Sequence, residues 1–540
     1  MLDLALALGV SKRNRLSDAI ILALFSNNEQ GAYYDPYDLT DEKLAWVANF
    51  GSELITNGDF SNGFTGWSAG SDWSTVDGKA YLAPSTSVLS SSLQTPSVTS
   101  NSNPVARITV DSLTGGGLRV EARISFSWQA TQWSIDNAGV FEIALPANTD
   151  RVRISRRIGE PTAVISNLSI RPMPTPAQFM AQFPNHTLFQ DSHGAIPVTG
   201  HMQPVGVVLD KRFGGVRGEN LRDGFVVHNS GVASNPFGFY DIDTGNFGIN
   251  RVDVNDRRDL RIFNLNPSVM YEITIENTSN NAIQVRNDSA SNTLVIIAAF
   301  TTVRLVSTTG NSDVFSILST GNDSEATGII HSIRPILGNH VHQPVSAARP
   351  LWQNNGGLKS FWFDGIDDHL LTVNTVNMLN TSQLQILTGF RKENSAVGIL
   401  IHSDSGTDET FTANQIEVFL RTFTSAERYT TRLRNSLNDN VFEANASGYP
   451  INANNVMTNS IDSMAAISTV RINNDTEHSE SGEGSSASLW DQQIFIGCRK
   501  GSVWYFGGHI YSLIIRSTLT EETQAEPIRQ LLATRSGVTL

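Results

Sequence analysis

The chain has a single cysteine, Cys498, in 540 residues. No intrachain disulfide can form, which excludes a disulfide-stapled scaffold. Cys498 lies in the apolar run QIFIGCRK and reads as a buried structural thiol. Charge is also scarce. Only 17% of residues are charged, and acids outnumber bases to give a net charge of −14. Most of such a surface repels a phosphate backbone, so nucleic acid is not an expected partner. No apolar run reaches the roughly 18 residues that a membrane-spanning helix requires. MLDLALALGV is short, contains Asp3 and has no basic stretch ahead of it, so a secretory signal is not expected. There is no His-Glu-x-x-His, no phosphate loop and no Gly-x-Ser-x-Gly. No strand-like run carries Glu-x-Asp-x-Glu, the alternation that sets glycosidase carboxylates on one face of a strand. The sequence therefore reads as non-enzymatic, with no required cofactor.

What is present is alternation. Apolar residues make up 40% of the chain, enough for sizeable cores, and Ser, Thr, Asn and Gly fill the intervals. ARITVDSL, LRVEARISFSW and GVFEIAL place apolar residues at every second position, the period of a half-buried strand. Turn residues separate them with no helical pattern between, which predicts an antiparallel sandwich over Ser52–Pro172. A second block, with YEITIEN, IQVRN, TLVIIAAF, TVRLVST and VFSILST, runs to Pro335. Both blocks close on Ser-Ile-Arg-Pro, at Ser169–Pro172 and Ser332–Pro335, which reads as two copies of one module. Each ends in a strand that a proline stops. At the N-terminus two short amphipathic helices are predicted, Leu2–Gly9 and Leu16–Phe25. They dock either on a partner or on the chain's own body.

Around the two blocks lies chain of another character. Tyr34-Asp35-Pro36 and Asp38-Leu39-Thr40 precede the first. Leu188–Ser192, Pro197–Thr199, Gln203–Gly206 and Leu209–Lys211 lie between them. Gly338–His340 and Arg349-Pro350 follow the second. Read in order, these pieces resemble a segment of tailed-phage and prophage structural proteins in which the pattern is continuous. Here sandwiches interrupt it after Thr40 and after Lys211, at loops where a longer closure costs little. ELITNGDFSNGFTGWS, at Glu53–Ser68, is similar to the opening of carbohydrate-binding modules of the galactose-binding-like jelly-roll type. The strands from Gly356 to about Thr520 resemble a laminin-G/concanavalin-A-like sandwich, opening at Phe363–Leu370 and closing at Gly508–Ile515. A short terminal helix follows, with Thr520 read as its N-cap.

The expected fold is mainly β, with several antiparallel β-sandwich (jelly-roll and concanavalin-A-like) domains and a short helical N-terminus. Its divisions are 1–50 (helical anchor and start of the scaffold), 51–173 (first sandwich), 174–211 (scaffold), 212–337 (second sandwich), 338–355 (scaffold) and 356–540 (concanavalin-A-like sandwich and helix). The resemblance implies a virion protein, assembled in the host cytoplasm, of fibre, spike or capsid-decoration type. It implies contact with other virion proteins through the N-terminal region, attachment to host-surface glycans and a homotrimer. Two alternatives stay open: a purely architectural capsid or tail protein, and a glycan depolymerase.

Sugar-binding modules stack aromatic faces on pyranose rings. Trp67 and Trp73 follow the opening strand and read as core. Trp128 and Trp133 flank QATQ, read as a turn, and are the candidate sugar contacts, with Gln129 and Gln132 as hydrogen-bonding neighbours. GGLKSFWFDGIDDHLLT, Gly356–Thr372, poses a separate question. Phe361 and Phe363 point one way and Trp362 the other, and Asp364-Gly365 turns the chain. Asp367 and Asp368 then cap that turn or sit in solvent, which is the first reading; a calcium site using Asp364, Asp367 or Asp368 is the second and a catalytic acid pair the third. DIDTGN, Asp241–Asn246, raises the same choice between turn and calcium more weakly. His340 and His342 read as hydrogen-bonded structural histidines before metal ligands. The acidic run Asn473–Ser486 reads as a solvated hairpin.

Overall fold

The computed structural model describes residues 14–26, 29–84, 91–98, 104–146, 148–213, 217–230, 238–251, 257–267, 269–287, 293–309, 313–321, 324–373, 381–404, 416–423, 426–434, 440–481, 493–499 and 503–540. It is a mostly β structure of antiparallel sheets with few helices. Two nine-stranded sheets form the body that the C-terminal strands begin. The first is centred on the fully buried strand Gly507–Arg516, flanked by Leu358–Asp364 and Gln383–Lys392. The second contains Leu370–Thr372, Gln493–Ile496 and Gly398–Asp404.

The three scaffold segments are built into these same sheets. Gly31–Tyr34 pairs with Gly507–Arg516. Gln203–Pro204 pairs with Leu351–Asn355. Leu188–Phe189, Val207–Val208 and Val341–His342 extend the second sheet, side by side. One apolar core joins them, including Leu39, Phe189, Trp352, Phe363, Phe390 and Leu513. Segments separated by more than a hundred residues thus complete one body, called the scaffold below.

A buried ionic cluster ties those segments together, and Asp35, Asp38, Asp210, Lys211 and His340 of the scaffold motifs belong to it. Asp35, fully buried, faces Lys211 Nζ at 2.9 Å and Arg535 Nη1 at 3.2 Å, and accepts a hydrogen bond from the Tyr33 hydroxyl at 2.7 Å. Burial raises the pKa of Asp35, but the two cations and the hydroxyl outweigh it and hold the carboxyl below its usual range. Asp38 is pulled down in the same way by Lys43, at 3.2 Å, and His186, at 3.0 Å. Asp210 takes the amides of Tyr33 and Arg212, both at 3.0 Å, and of Asn339 at 2.9 Å. His340 accepts from the Asp210 amide at 3.0 Å and faces the Ile336 carbonyl at 3.2 Å, which is the structural role expected of it.

Residues 51–172 and 218–335 leave and re-enter this scaffold as two inserted modules. Module 1 is an eight-stranded sheet wrapped around a core that includes Phe60, Trp73, Val120, Trp133 and Ile154. Its frame is a pair of long strands, Pro104–Ile124 and Thr149–Pro172, matched almost end to end. Their register shifts where Gly115 (φ +75°) lies against the Glu160 backbone and Gly159 (φ +67°) against that of Gly115, so closely that a side chain on either would collide. Module 2 is a ten-stranded sheet closed around Phe247, Ile273, Phe315 and Ile333.

The repeated Ser-Ile-Arg-Pro serves the same purpose in both modules. In module 1 the Leu54 amide donates to the Ile170 carbonyl at 2.8 Å, and the Ile170 amide donates to Glu53 Oε1 at 2.7 Å. In module 2 the Leu221 amide donates to the Ile333 carbonyl at 2.8 Å, and the Ile333 amide donates to Asn220 Oδ1 at 3.0 Å. A side-chain oxygen and the following backbone N–H clamp the motif isoleucine each time. Pro172 ends its strand, whereas Ile336 continues one residue past Pro335.

Three sequence expectations need revision or placement. Thr520 is not the N-cap of the terminal helix, which spans Glu522–Ser536 with Glu521 at its cap. The Thr520 hydroxyl instead donates to Gln385 Oε1 at 2.6 Å, so tertiary bonding has taken the capping group. Of the two N-terminal helices, Leu2–Gly9 lies outside the described residues. The second is realised as Asn14–Ala23 and packs Ile21, with Leu24 beyond it, against Ile528 and Leu532 of the terminal helix. That is docking on the chain's own body. Cys498 is fully buried, as expected.

Candidate functional site

The candidate sugar contacts lie on one strand, Ser127–Ile135, and not around a turn. The turn is two residues earlier, at Ser125 and Phe126, between the paired residues Ile124 and Ser127. Both turn residues have positive φ, +48° and +69°, the requirement of a tight hairpin that usually selects Gly or Asn. Across a register shift in this strand, Trp133 opposes the inward Val120 whereas Trp128 opposes the outward Arg123. Trp133 therefore enters the core, 8% exposed, and is no sugar contact. Trp73 is buried, and Trp67 packs against the same core, both as expected.

Trp128 is half-buried on the outer face, among side chains that strand register brings together. Arg123 opposes Trp128 on one side and Arg151 on the other. Glu121 opposes Arg153, and Arg119 opposes Ser155. The Arg153 guanidinium lies 4.2 Å from the Trp128 ring centroid, and that of Arg123 lies 5.9 Å from it. Glu121 is buried and satisfied by Arg153 at 2.8 Å and Arg119 at 3.4 Å. Gln129, half-buried, donates to the Ser127 carbonyl at 3.0 Å, which commits its amide locally. Gln132 sits at the register position opposite Glu121, and its side chain lies outside the described set.

Phe126 is the residue that sequence reasoning missed. It stands at the hairpin tip, 85% exposed, with Arg123 at 5.3 Å from its ring and its amide bonded to Asp150 Oδ2 at 3.1 Å. A bulky side chain in the left-handed region costs roughly 1–2 kcal/mol. The face presents an exposed aromatic ring at its rim and an indole packed against guanidinium groups.

The acidic stretch of the scaffold answers its question as a turn. Asp364 Oδ1 accepts from the amides of Ile366 at 2.7 Å and Asp367 at 3.3 Å, and the Asp364 amide donates to Asp368 Oδ2 at 2.9 Å. Phe361 and Phe363 are buried and Trp362 faces outward, its indole N–H reaching Glu393 at 3.0 Å. Asp364, Asp367 and Asp368 do offer oxygens within 4.8 Å of one another. Burial, aided by the charges of Asp364 and Asp367, pushes Asp368 up to about 7. Asp241 likewise folds its own turn, accepting from Asp243 at 3.0 Å and from the Thr244 hydroxyl at 2.7 Å. His342 lies on its short strand beside His340, and burial lowers both to about 4. In Asn473–Ser486, the strand His478–Ser481 is exposed throughout, as expected of a solvated hairpin; residues from 482 lie outside the described set.

No protein-family model and no curated protein matches this chain. Among solved structures, the Ruminococcus gnavus IT-sialidase CBM40 superposes with a TM-score of 0.23 and 15% identity, over 29% of this chain and 84% of its own. Alginate lyase A1-II′, of polysaccharide lyase family 7, gives a TM-score of 0.23 and 12% identity, over 31% and 84% of the two chains. A GH54 α-L-arabinofuranosidase gives 0.27 and 10%, over 50% and 63%. Likeness at this level carries no argument about binding or activity.

Proposed function

We propose that this chain is a phage virion structural protein, displayed on the particle as a fibre, spike or decoration, that attaches to host-surface glycans through the outer face of module 1. The observation that carries the glycan reading is that face: an exposed Phe126, a half-buried Trp128 and register-aligned arginines on a rigid sheet. Sites built on strands hold their geometry better than sites on loops. The virion reading rests on the ordered scaffold motifs, from Tyr34-Asp35-Pro36 to Arg349-Pro350, whose residues bury themselves at the joints of the scaffold. The chain acts in this reading as a binding protein and not an enzyme. The carboxylates that do gather, at Asp364–Asp368, are engaged in folding a turn.

The test is retention of purified full-length protein on host cells and on their isolated surface polysaccharide, beside a Phe126→Ser/Trp128→Ala variant. Loss of binding by the variant, with an unchanged melting profile, supports the reading. Equal binding by both proteins removes module 1 as the attachment face. No binding by folded wild-type protein favours the architectural alternative.

A further inference from the structure

The charge on this face is not balanced along its length, and the imbalance points to a ligand class. At one end, Glu121 is matched by Arg153 and Arg119. At the other, Arg123 and Arg151 are direct cross-strand partners. Like charges directly opposite on a sheet repel. Asp150 relieves Arg123, at 2.6 Å. Arg151 has no ion pair among the described residues, and its buried Nε has no hydrogen-bond partner there. The face thus gathers four arginines against two carboxylates, Glu121 and Asp150, in a chain with 52 acids and 38 bases. A cationic patch against that background is built locally.

We propose that the sugar held on this face is anionic, its carboxylate or sulfate lying between Arg123 and Arg151. This deepens the glycan reading and rests on it. Guanidinium forks match the paired oxygens of such groups. An anion there gives Arg151 the ion pair it does not have among the described residues and screens its repulsion with Arg123. Phe126, beside Arg123, meets the apolar edge of the same sugar ring. A neutral sugar leaves Arg151 as it is and gains nothing from the pair.

The experiment measures binding of the full-length protein to three probes of equal length: an oligogalacturonate, a sulfated oligosaccharide and a neutral dextran oligomer, at low and high salt. The expected result is at least one acidic probe bound tenfold or more above dextran, weakened several-fold by salt. Arg151→Ala loses tenfold or more for that probe, and Arg151→Lys recovers part of it. Which acidic probe binds decides between carboxylate and sulfate. Arg151→Gln, which keeps the stem length, guards against a folding artefact. Dextran bound as well as the acidic probes, or host-cell binding indifferent to Arg151→Ala and Arg151→Gln, overturns the anionic proposal while leaving glycan attachment standing. Failure of the Phe126→Ser/Trp128→Ala variant to affect cell binding is the separate result that removes the face itself.

Discussion

The scaffold and its two inserts are closed by different means. Each insert is closed locally: Ile170 by Glu53 and Leu54, Ile333 by Asn220 and Leu221, where the entering chain meets the returning strand. The scaffold is closed by charges from distant parts of the chain, Asp35 meeting Lys211 and Arg535 in a buried site. A local clamp frays by itself and costs one hydrogen bond. A buried ionic cluster fails as a unit, because removing one member strands the others without water. Perturbation of the scaffold is therefore global, and perturbation of a module's clamp stays within that module.

Acid tests this contrast most severely. The scaffold holds His186, His201, His340 and His342, each lowered to about 4 by burial, and His193 and His369, lowered for the same reason. Unfolded, each takes up a proton near its ordinary pKa of about 6.5. Folded, the first four do so only near 4. Stability is thus lost as pH falls through that window. Asp368, raised to about 7, works in the opposite sense, as do Asp210 and Glu142, but the histidines outnumber them. Urea unfolding with segment-resolved amide exchange will show the scaffold losing protection between pH 6.5 and 4 before the module cores do. Modules that unfold first would break the comparison.

Asp35→Asn comes next. It keeps the side-chain shape and removes the charge that Lys211 and Arg535 face, at an expected cost of about 3–5 kcal/mol. The urea midpoint of the whole chain should fall. A loss under about 1 kcal/mol would mean that the cluster is not what closes the scaffold. The smallest effect belongs to the clamps. Asn220→Ala and Glu53→Ala each remove a hydrogen bond to a motif isoleucine, worth about 1 kcal/mol. Exchange should quicken at Ile333 in the first variant and Ile170 in the second, with the other module unmoved.

Much of this architecture was legible in the sequence. Period-two runs gave the strands, and the broken order of the scaffold motifs suggested two inserts without fixing their bounds: the helix Asp41–Ala48, past the expected break at Thr40, still packs in the scaffold core. The motifs did not disclose their own purpose, because a buried ion pair across 500 positions has no local signature. The candidate face was half-read for a different reason. Turn signals are usually Gly, Asn or Asp, which Ser125-Phe126 lacks, so the sequence alone favours a turn at QATQ. That placement puts Trp133 outside when the strand turns it inward. A better signal was present in LRVEARI and RVRIS. Arg119, Glu121 and Arg123 alternate with Leu118, Val120 and Ala122, and Arg151 and Arg153 with Val152 and Ile154. Read as one polar face, they point to the arginines before the tryptophans.

The junctions of the modules have one more consequence. Gly51 lies against the Pro172 ring, and the Arg171 guanidinium donates to its carbonyl at 2.8 Å. Gly218 donates to the Pro335 carbonyl at 2.8 Å, beside the bridge from Arg217 to Ile336. Each module departs and returns through a single doorway. Beyond the doorway the scaffold also touches each module: the His201 amide donates to the Glu142 carbonyl of module 1, and the Val306 amide of module 2 donates to the His193 carbonyl, with Val306 buried in the scaffold core. A domain exchanged there has to match two ends that meet and also these side contacts for the body that carries it to keep its shape.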